Sequence, residues 1–121
     1  MDISIFDNEP GGRDYAAGET IFNAGDEARA LFAVQSGEVD LFVGDLLVET
    51  VAQGGVFGEM GMIEKAPRTA TAIARTACRV VEVDEFGFVR QVTRNPFFAL
   101  EMMRVLAHRL RNADAQIAAS H

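Results

Sequence analysis

The chain has 121 residues, 49% of them hydrophobic and 24% charged, which is typical of a single soluble globular domain. Its net charge of −7 argues against a nucleic-acid partner, because an acidic surface repels a phosphate backbone at long range. The single cysteine, Cys78, excludes an intrachain disulfide and a zinc site made of several cysteines.

The N-terminal residues carry acids instead of a basic cap before an apolar core, so we expect no signal peptide. No run approaches the roughly 20 apolar residues that a membrane span requires, so we expect no membrane partner. The expected location is therefore the cytoplasm. Residues 1–12 are expected to form a loosely attached arm that ends at Pro10-Gly11-Gly12, and residues 13–121 one domain. Three apolar residues of the arm are expected to pack on that domain: Ile3, Ile5 and Phe6.

Short apolar runs separated by turn residues predict several strands in the first half of the chain. Gly44-Asp45 lies between two apolar runs and predicts a tight hairpin. Many short strands at nearly even spacing indicate an antiparallel sandwich or barrel. The predicted strands are Thr20–Phe22, Ala30–Val34, Glu38–Val43 and a run that begins with Leu46-Leu47-Val48.

The segment from Gly54 to Ala74 has the features of an anion-binding cradle. Gly58 and Gly61 lack a Cβ, so the backbone can approach a ligand closely there. One helical turn, predicted to start near Glu59, leaves its first N–H groups free to bind a phosphate. Arg68 adds a planar fork of donors that suits two phosphate oxygens.

Glu59 is an acceptor-only carboxylate beside these donors, as a ribose hydroxyl requires. The segment therefore offers one group for a phosphate and one for a sugar. A structural alternative remains open for each residue: Arg68 as a salt-bridge partner of Glu59 or Glu64, and Glu59 as an acid at a helix start.

Two more strands, Thr69–Ala74 and Arg79–Val83, are predicted after this segment, with Cys78 as a buried thiol. A helix starts at Asp84 or Glu85 and runs through Val92. Asn95-Pro96 breaks it, with Asn95 as a plausible N-cap of a last helix that continues from Pro96 towards Ile117. That helix carries one predicted apolar stripe: Leu100, Met103, Leu106, Ala107, Leu110 and Ala113.

The run FGEMGMIEKAPRTATA closely resembles the phosphate-binding cassette of cyclic nucleotide-binding domains, the cAMP- and cGMP-sensing modules of kinase regulatory subunits, gated channels and catabolite-activator regulators. Eight residues separate Glu59 from Arg68, as in that cassette. The resemblance extends from about Tyr15 to Arg111. Earlier family markers occur in order: Ala17–Phe22, Gly25-Asp26, Leu31–Val34 and Ser36–Val39.

The resemblance implies a mainly β fold: an antiparallel, jelly-roll-like β-roll at about residues 13–84, a phosphate-binding cassette, and two C-terminal helices at about 85–118. It implies cAMP or cGMP as the ligand, with no other cofactor, no metal and no catalytic residue. The implied cyclic-nucleotide site consists of Phe57, Gly58, Glu59, Met60, Gly61, Arg68 and Thr69. Arg68 and the cassette amides would hold the phosphate, and Glu59 the ribose 2′-hydroxyl.

Base recognition follows the family pattern less closely. Val48, Arg109 and Asn112 are candidate base or lid contacts, although Val48, like Phe57 and Leu46, is equally explained as core. Where catabolite-activator regulators place two adjacent hydroxyl residues against adenine, this chain has Ala113 and Asp114. The choice between cAMP and cGMP stays open, with the bacterial-type resemblance favouring cAMP.

The residues distinguish three functional classes. The first is a stand-alone cyclic nucleotide sensor whose last helix relays the signal to a separate effector or a dimer partner, since no effector segment is recognised after Arg111. The second is a degenerate module that serves as a protein-interaction scaffold. The third, an enzyme such as a phosphodiesterase or a cupin-type metalloprotein, lacks clustered histidines and a general base.

Overall fold

The computed structural model describes residues 4–120, with side chains described for residues 5–115. Within this range a short 3-10 helix, Ser4–Phe6, precedes eight strands and three α-helices. The strands are β1 (Arg13–Tyr15), β2 (Thr20–Phe22), β3 (Ala30–Ser36), β4 (Glu38–Val43), β5 (Leu46–Ala52), β6 (Val56–Phe57), β7 (Thr71–Ala74) and β8 (Cys78–Asp84). The helices are α1 (Glu59–Glu64), α2 (Glu85–Arg94) and α3 (Phe97–Ser120).

The strands form two four-stranded antiparallel sheets, with the orders β1-β8-β3-β6 and β2-β7-β4-β5. This arrangement, followed by α2 and α3, confirms the predicted β-roll with C-terminal helices. The strand runs predicted from the sequence are all present, and the Gly44-Asp45 hairpin is confirmed by the pairing of Val43 with Leu46. Three strands differ at their ends: β3 continues to Ser36, β8 spans Cys78–Asp84, and β7 begins at Thr71, because Thr69 and Ala70 form a bend.

Strand β3 is apolar and largely buried along Ala30–Val34, whereas the exposed Arg79 and Glu82 interrupt the buried apolar residues of β8. Val34 and Val80 point into a cluster between the two sheets, whereas Leu31 and Val81 point into a second cluster beneath the helices. The predicted buried thiol, Cys78, belongs to the inter-sheet cluster, and burial raises its pKa. The core therefore fixes β3 and β8 between the second sheet and the helices.

The described residues of the N-terminal arm contact the rest of the domain. The ring of Phe6 is buried and meets Phe98 of α3 edge-on, with 5.3 Å between ring centroids. The Gln35 amide donates hydrogen bonds of 2.8 Å to the carbonyls of Phe6 and Glu9. The predicted packing of the arm is confirmed for Ile5 and Phe6, while Ile3 lies outside the described residues.

The two long helices begin and end close to the predicted positions. The Asp84 carboxylate caps α2 by accepting a 2.8 Å bond from the Gly87 N–H. Asn95 ends α2 by donating its backbone N–H to the Gln91 carbonyl, instead of capping α3 with its side chain, and α3 begins at Phe97. No helix within residues 4–120 combines the length and apolarity needed to cross a bilayer.

The predicted apolar stripe of α3 is not its buried face. Phe98, Met102 and Val105 pack into the core instead, four and three residues apart. Phe98 on this face meets the rings of Phe6 and Phe88 in the core. Three residues of the predicted stripe are largely exposed: Leu100 (41%), Met103 (63%) and Leu110 (65%).

Candidate ligand-binding site

A cavity of about 430 Å³ lies beside α1, within the size range of small-molecule sites. Its walls come from β2, β4, β5, the cassette (residues 57–72) and α3. All but one of the sequence-predicted site residues line it: Val48, Gly58, Glu59, Met60, Gly61, Arg68, Thr69, Arg109 and Asn112. Residues separated by more than 60 positions in the chain are thus brought to one cavity.

Phe57 is the exception, because its side chain does not line the cavity. β6 pairs with β3 so that Phe57 lies opposite Phe32, and the two rings stack with centroids 5.3 Å apart. Phe57 is fully buried and belongs to the inter-sheet core. Leu46 is 59% exposed at the hairpin and does not line the cavity either.

Glu59 and Arg68 are the buried charged residues of the described part of the chain, with 2% and 7% of their surface exposed. Both line the cavity. Burial of a charge is costly unless partners compensate it. Each side chain nevertheless keeps one buried polar atom without a partner, Oε2 of Glu59 and Nε of Arg68. The site therefore holds an unused acceptor and an unused donor.

The Arg68 guanidinium is held by backbone carbonyls. Its Nη1 donates to the Gly58 carbonyl at 2.6 Å and its Nη2 to the Ala30 carbonyl at 2.7 Å. These partners differ from the structural alternative, in which Arg68 pairs with Glu59 or Glu64. Burial lowers the pKa of Arg68, with the charges of Glu82, Glu59 and Asp26 acting in the opposite direction. An arginine nonetheless stays protonated in a protein.

Two aromatic rings flank the same guanidinium. The Arg68 Cζ lies 4.4 Å from the ring centroid of Phe22 and 5.4 Å from that of Phe32. A cation over an aromatic face is stabilised by the quadrupole of the ring, more so when water is excluded. Phe22 also lines the cavity, so it connects the core to the charged group. Sequence reasoning placed Phe22 in a strand without assigning it to the site.

Gly58 and Gly61 make room for Arg68. Gly58 has φ +77°, in the left-handed region, and a Cβ there would lie 2.7 Å from Arg68 Nη1. A Cβ at Gly61 would lie 2.4 Å from the Ala28 Cβ and 2.9 Å from the same nitrogen. The sequence predicted close approach at these glycines. In the structure the group that approaches is the arginine side chain.

Arg109 of α3 reaches across the cavity to the cassette. Its Nη1 donates to Glu59 Oε1 at 2.5 Å, and its Nη2 contacts the Val56 carbonyl. Its other edge binds Glu49 of β5 through two bonds, Nε to Oε1 at 2.9 Å and Nη2 to Oε2 at 3.0 Å. Burial lowers the pKa of Arg109, but the hydrogen bonds and charges of Glu49 and Glu59 raise it overall.

Glu49 was missed by the sequence reasoning, and a β-bulge explains why. Along β4 and β5, Leu41 pairs with Glu49 but Phe42 pairs with Leu47, so Val48 is an extra residue in β5. Adjacent strand residues normally point to opposite faces, yet Val48 and Glu49 both line the cavity. The only sequence signal is the loss of alternation in Leu46-Leu47-Val48-Glu49.

The cavity has two unlike ends. One holds the buried charges of Glu59 and Arg68 together with the glycines. The other is formed by apolar side chains of β4 and β5 and by the polar Asn112 beside Ala113 on α3. In the described part of the chain, no group of three or more His, Cys, Asp or Glu side chains is arranged to hold a metal ion.

The family model for the cyclic nucleotide-binding domain matches residues 12–95. A cyclic AMP receptor protein from Thermus thermophilus is 32% identical over 110 residues, covering 87% of this chain and 51% of that protein. A cAMP-dependent protein kinase regulatory subunit from Eremothecium gossypii is 35% identical over 80 residues, covering 66% of this chain and 18% of that protein. The chain thus spans about half the length of the first relative and less of the second.

Similarity extends to solved structures. The crystal structure of the Thermus thermophilus catabolite activator protein matches with a TM-score of 0.77 and 30% sequence identity. The match covers 89% of this chain and 53% of that one. The two-sheet architecture and the C-terminal helices are therefore those of a known fold.

Proposed function

Because the chain belongs to the cyclic nucleotide-binding domain family, we propose that it is a regulatory module that binds cAMP or cGMP in the cavity beside α1. The observation that carries this proposal is the buried pair Glu59 and Arg68, which both line this cavity and each keep one polar atom without a partner. An acceptor and a cation at such a site match the hydroxyl and the anionic phosphate of a cyclic ribose phosphate.

In this proposal the cyclic phosphate binds Arg68 and the cassette amides near Met60 and Gly61. The Arg68 fork exchanges a backbone carbonyl for phosphate oxygens, which are stronger acceptors because they are charged. Glu59 Oε2 accepts the ribose 2′-hydroxyl, while Oε1 stays bound to Arg109. The hydroxyl of Thr69, which lines the cavity at the bend beside Arg68, would contact the phosphate or the base.

The purine would occupy the other end of the cavity, against Val48 and near Asn112. The name of the Thermus relative, a cyclic AMP receptor protein, favours cAMP. The proposed role is binding without catalysis. The element that responds to the ligand is α3, because its Arg109 is bonded to Glu59, the carboxylate proposed to bind the ribose. In this proposal α3 has two docked positions, and a ligand changes the balance between them only by the difference between its affinities for the two.

The proposal includes a partner that binds α3 and responds to its position. The exposed stripe of α3, defined by Leu100, Met103 and Leu110, offers apolar surface to a second copy of the chain or to an effector. If a second copy covers it, Leu110→Lys will convert a dimer to a monomer in sedimentation velocity. An unchanged sedimentation coefficient would assign the stripe to another partner or to none.

Calorimetric titration with cAMP and cGMP tests the binding role. The wild-type chain is expected to bind at least one of them, and Arg68→Lys is expected to weaken binding by about a hundredfold, since it keeps the charge but loses the fork. Arg29→Lys is the matched control, because the side chain of Arg29 is 77% exposed and does not line the cavity. Melting curves of each variant verify folding.

A wild-type chain that gives no heat with either nucleotide, and no melting shift at millimolar ligand, would reject the proposal and favour the scaffold hypothesis. A ligand at about 100 times its dissociation constant stabilises a native state by about 2.7 kcal/mol, which a melting curve detects readily.

A further inference from the structure

Arg109 lies between two carboxylates that differ in burial and in geometry. Glu59 is almost fully buried, whereas 33% of the Glu49 side chain is exposed. Glu49 binds Arg109 along one edge of the guanidinium through two hydrogen bonds, and Glu59 receives a single bond from Nη1. The more exposed carboxylate therefore has the better geometry with the arginine.

This division of bonds decides which oxygen of Glu59 is free. Arginine and carboxylate groups favour a two-bonded arrangement, in which both oxygens are occupied. Glu59 lacks that arrangement because the Nε edge of Arg109 is held by Glu49 and Nη2 is shared between Glu49 and the Val56 carbonyl. As a result Glu59 Oε2 is buried without a partner.

From this geometry we infer that Glu49 is a positioning residue for the ligand: it holds Arg109 so that Glu59 keeps one oxygen open for a ribose hydroxyl. Without Glu49, Arg109 turns its fork onto Glu59, occupies both oxygens and competes with the sugar. The β-bulge at Val48 is what brings Glu49 to this place on the cavity wall. The inference rests on the proposed function, because it requires a ligand hydroxyl at Glu59.

Simple electrostatics predicts the opposite effect of removing Glu49 on nucleotide affinity, so the sign of the change distinguishes the two explanations. Glu49 is a negative charge on the wall of a cavity proposed to bind an anion. Removing that charge alone should strengthen binding. If Glu49 acts by restraining Arg109, removing it should instead weaken binding.

The test compares Glu49→Gln with the wild type by calorimetry, using whichever of cAMP and cGMP binds more tightly, together with its 2′-deoxy form. Glu49→Gln is expected to weaken binding of the ribose ligand by about tenfold, the value of one hydrogen bond to a charged group. The preference of the wild type for the ribose over the deoxyribose form is expected to shrink by a similar factor. A residue that merely stabilised the fold would not change that preference.

Rescue provides a second readout. In Glu49→Gln/Arg109→Gln no guanidinium is left to cover Glu59, so affinity and ribose preference are expected to return to within about threefold of the Arg109→Gln single variant. Glu101→Gln is the charge-matched control, since Glu101 lies on α3 with Arg109 and does not line the cavity. Equal or tighter binding by Glu49→Gln, or an unchanged ribose preference, would overturn the inference.

A ligand-free measurement separates failure of this inference from failure of the proposed function. The coupling between Glu59 and Arg109 is obtained from the unfolding free energies of Glu59→Gln, Arg109→Gln and the double variant. The coupling is expected to increase when the same cycle is repeated with Gln at position 49. A smaller or equal coupling contradicts the restraint of Arg109 by Glu49 whether or not a nucleotide binds. Absence of nucleotide binding to the wild type contradicts the proposed function and leaves that restraint standing.

Discussion

The two ends of the cavity are built on different principles. The end at Glu59 and Arg68 is buried and charged, and its two glycines leave no spare space around the arginine. The end near Val48 and Asn112 is more open, and its Asn112 lies on an exposed part of α3. The first end is made almost entirely by one short segment, residues 58–69. The second is assembled from β4, β5 and α3.

The difference indicates how recognition is divided in the proposed function. A buried, preorganised site loses little entropy on binding and is sensitive to small changes of shape. An open apolar site contributes mainly contact area and tolerates substitution. We therefore expect the sugar-phosphate end to determine whether a cyclic nucleotide binds and the base end to determine which one. Substitutions at each end of the cavity test the two sides of that division.

The largest effect is expected at Gly61. In Gly61→Ala the new Cβ would lie 2.4 Å from the Ala28 Cβ and 2.9 Å from Arg68 Nη1, and the buried Ala28 has no flexible end to move away. We expect a loss of about 2 kcal/mol in unfolding free energy from overpacking. Displacement of the Arg68 fork should also weaken nucleotide binding by about a hundredfold. Denaturant unfolding and calorimetry measure the two quantities.

Gly55→Ala is the matched control for this variant. A Cβ there would also be crowded, at 2.6 Å from Val51 Cγ1, but Gly55 does not line the cavity beside α1. Its stability should fall by a similar amount while the folded protein binds as the wild type does. If Gly61→Ala kept wild-type affinity, the sugar-phosphate end would not depend on a precisely placed arginine.

The next effect is expected at Phe22, which stacks on the guanidinium of Arg68. Phe22→Leu keeps an apolar side chain but removes the aromatic face, and binding of either nucleotide should weaken by about tenfold. Phe86→Leu serves as the control, since Arg90 lies 5.5 Å from the centroid of that exposed ring on α2. A wild-type affinity in Phe22→Leu would show that carbonyl bonds alone position Arg68.

The same division explains what could be predicted from the sequence. Gly58, Glu59, Gly61 and Arg68 are close in the chain, so their types and spacing alone indicated an anion site, and the structure brings them to one cavity. The strands followed from apolar runs and turn residues. Elements whose residues contact neighbours along the chain were thus predicted well.

Features that depend on contacts between distant segments were not predicted. Glu49 reaches the cavity only because a bulge shifts the register between β4 and β5, and its partner Arg109 is 60 residues away. The helix α3 carries two apolar stripes, and only the packing of Phe98 against Phe6 and Phe88 shows which one is buried. Likewise, Phe57 fits a ligand site by its position in the motif but is directed into the core by pairing with β3.

A smaller effect is expected at Val48, the extra residue of the bulge. Val48→Ala removes two methyl groups from the apolar wall, so cAMP and cGMP should both bind about fivefold more weakly. Leu47→Ala is the control, because Leu47 is the preceding residue, is 42% exposed and does not line the cavity. A change confined to one nucleotide would mean that Val48 reads the base rather than supplying contact area.

The smallest effect, and the most specific, is expected at Asn112. Its amide offers a donor and an acceptor and can match the hydrogen-bonding edge of either purine, but its exposed position limits the gain because water competes for the same groups. Asn112→Ala should therefore change the ratio of cAMP to cGMP affinity by about threefold. The affinity for the nucleotide that binds less tightly should change little. Arg111→Ala, the adjacent exposed residue that does not line the cavity, should leave the ratio unchanged. If Asn112→Ala weakened both nucleotides equally, Asn112 would act on the position of α3 instead of on the base, and the choice of base would have to be made at β4 and β5.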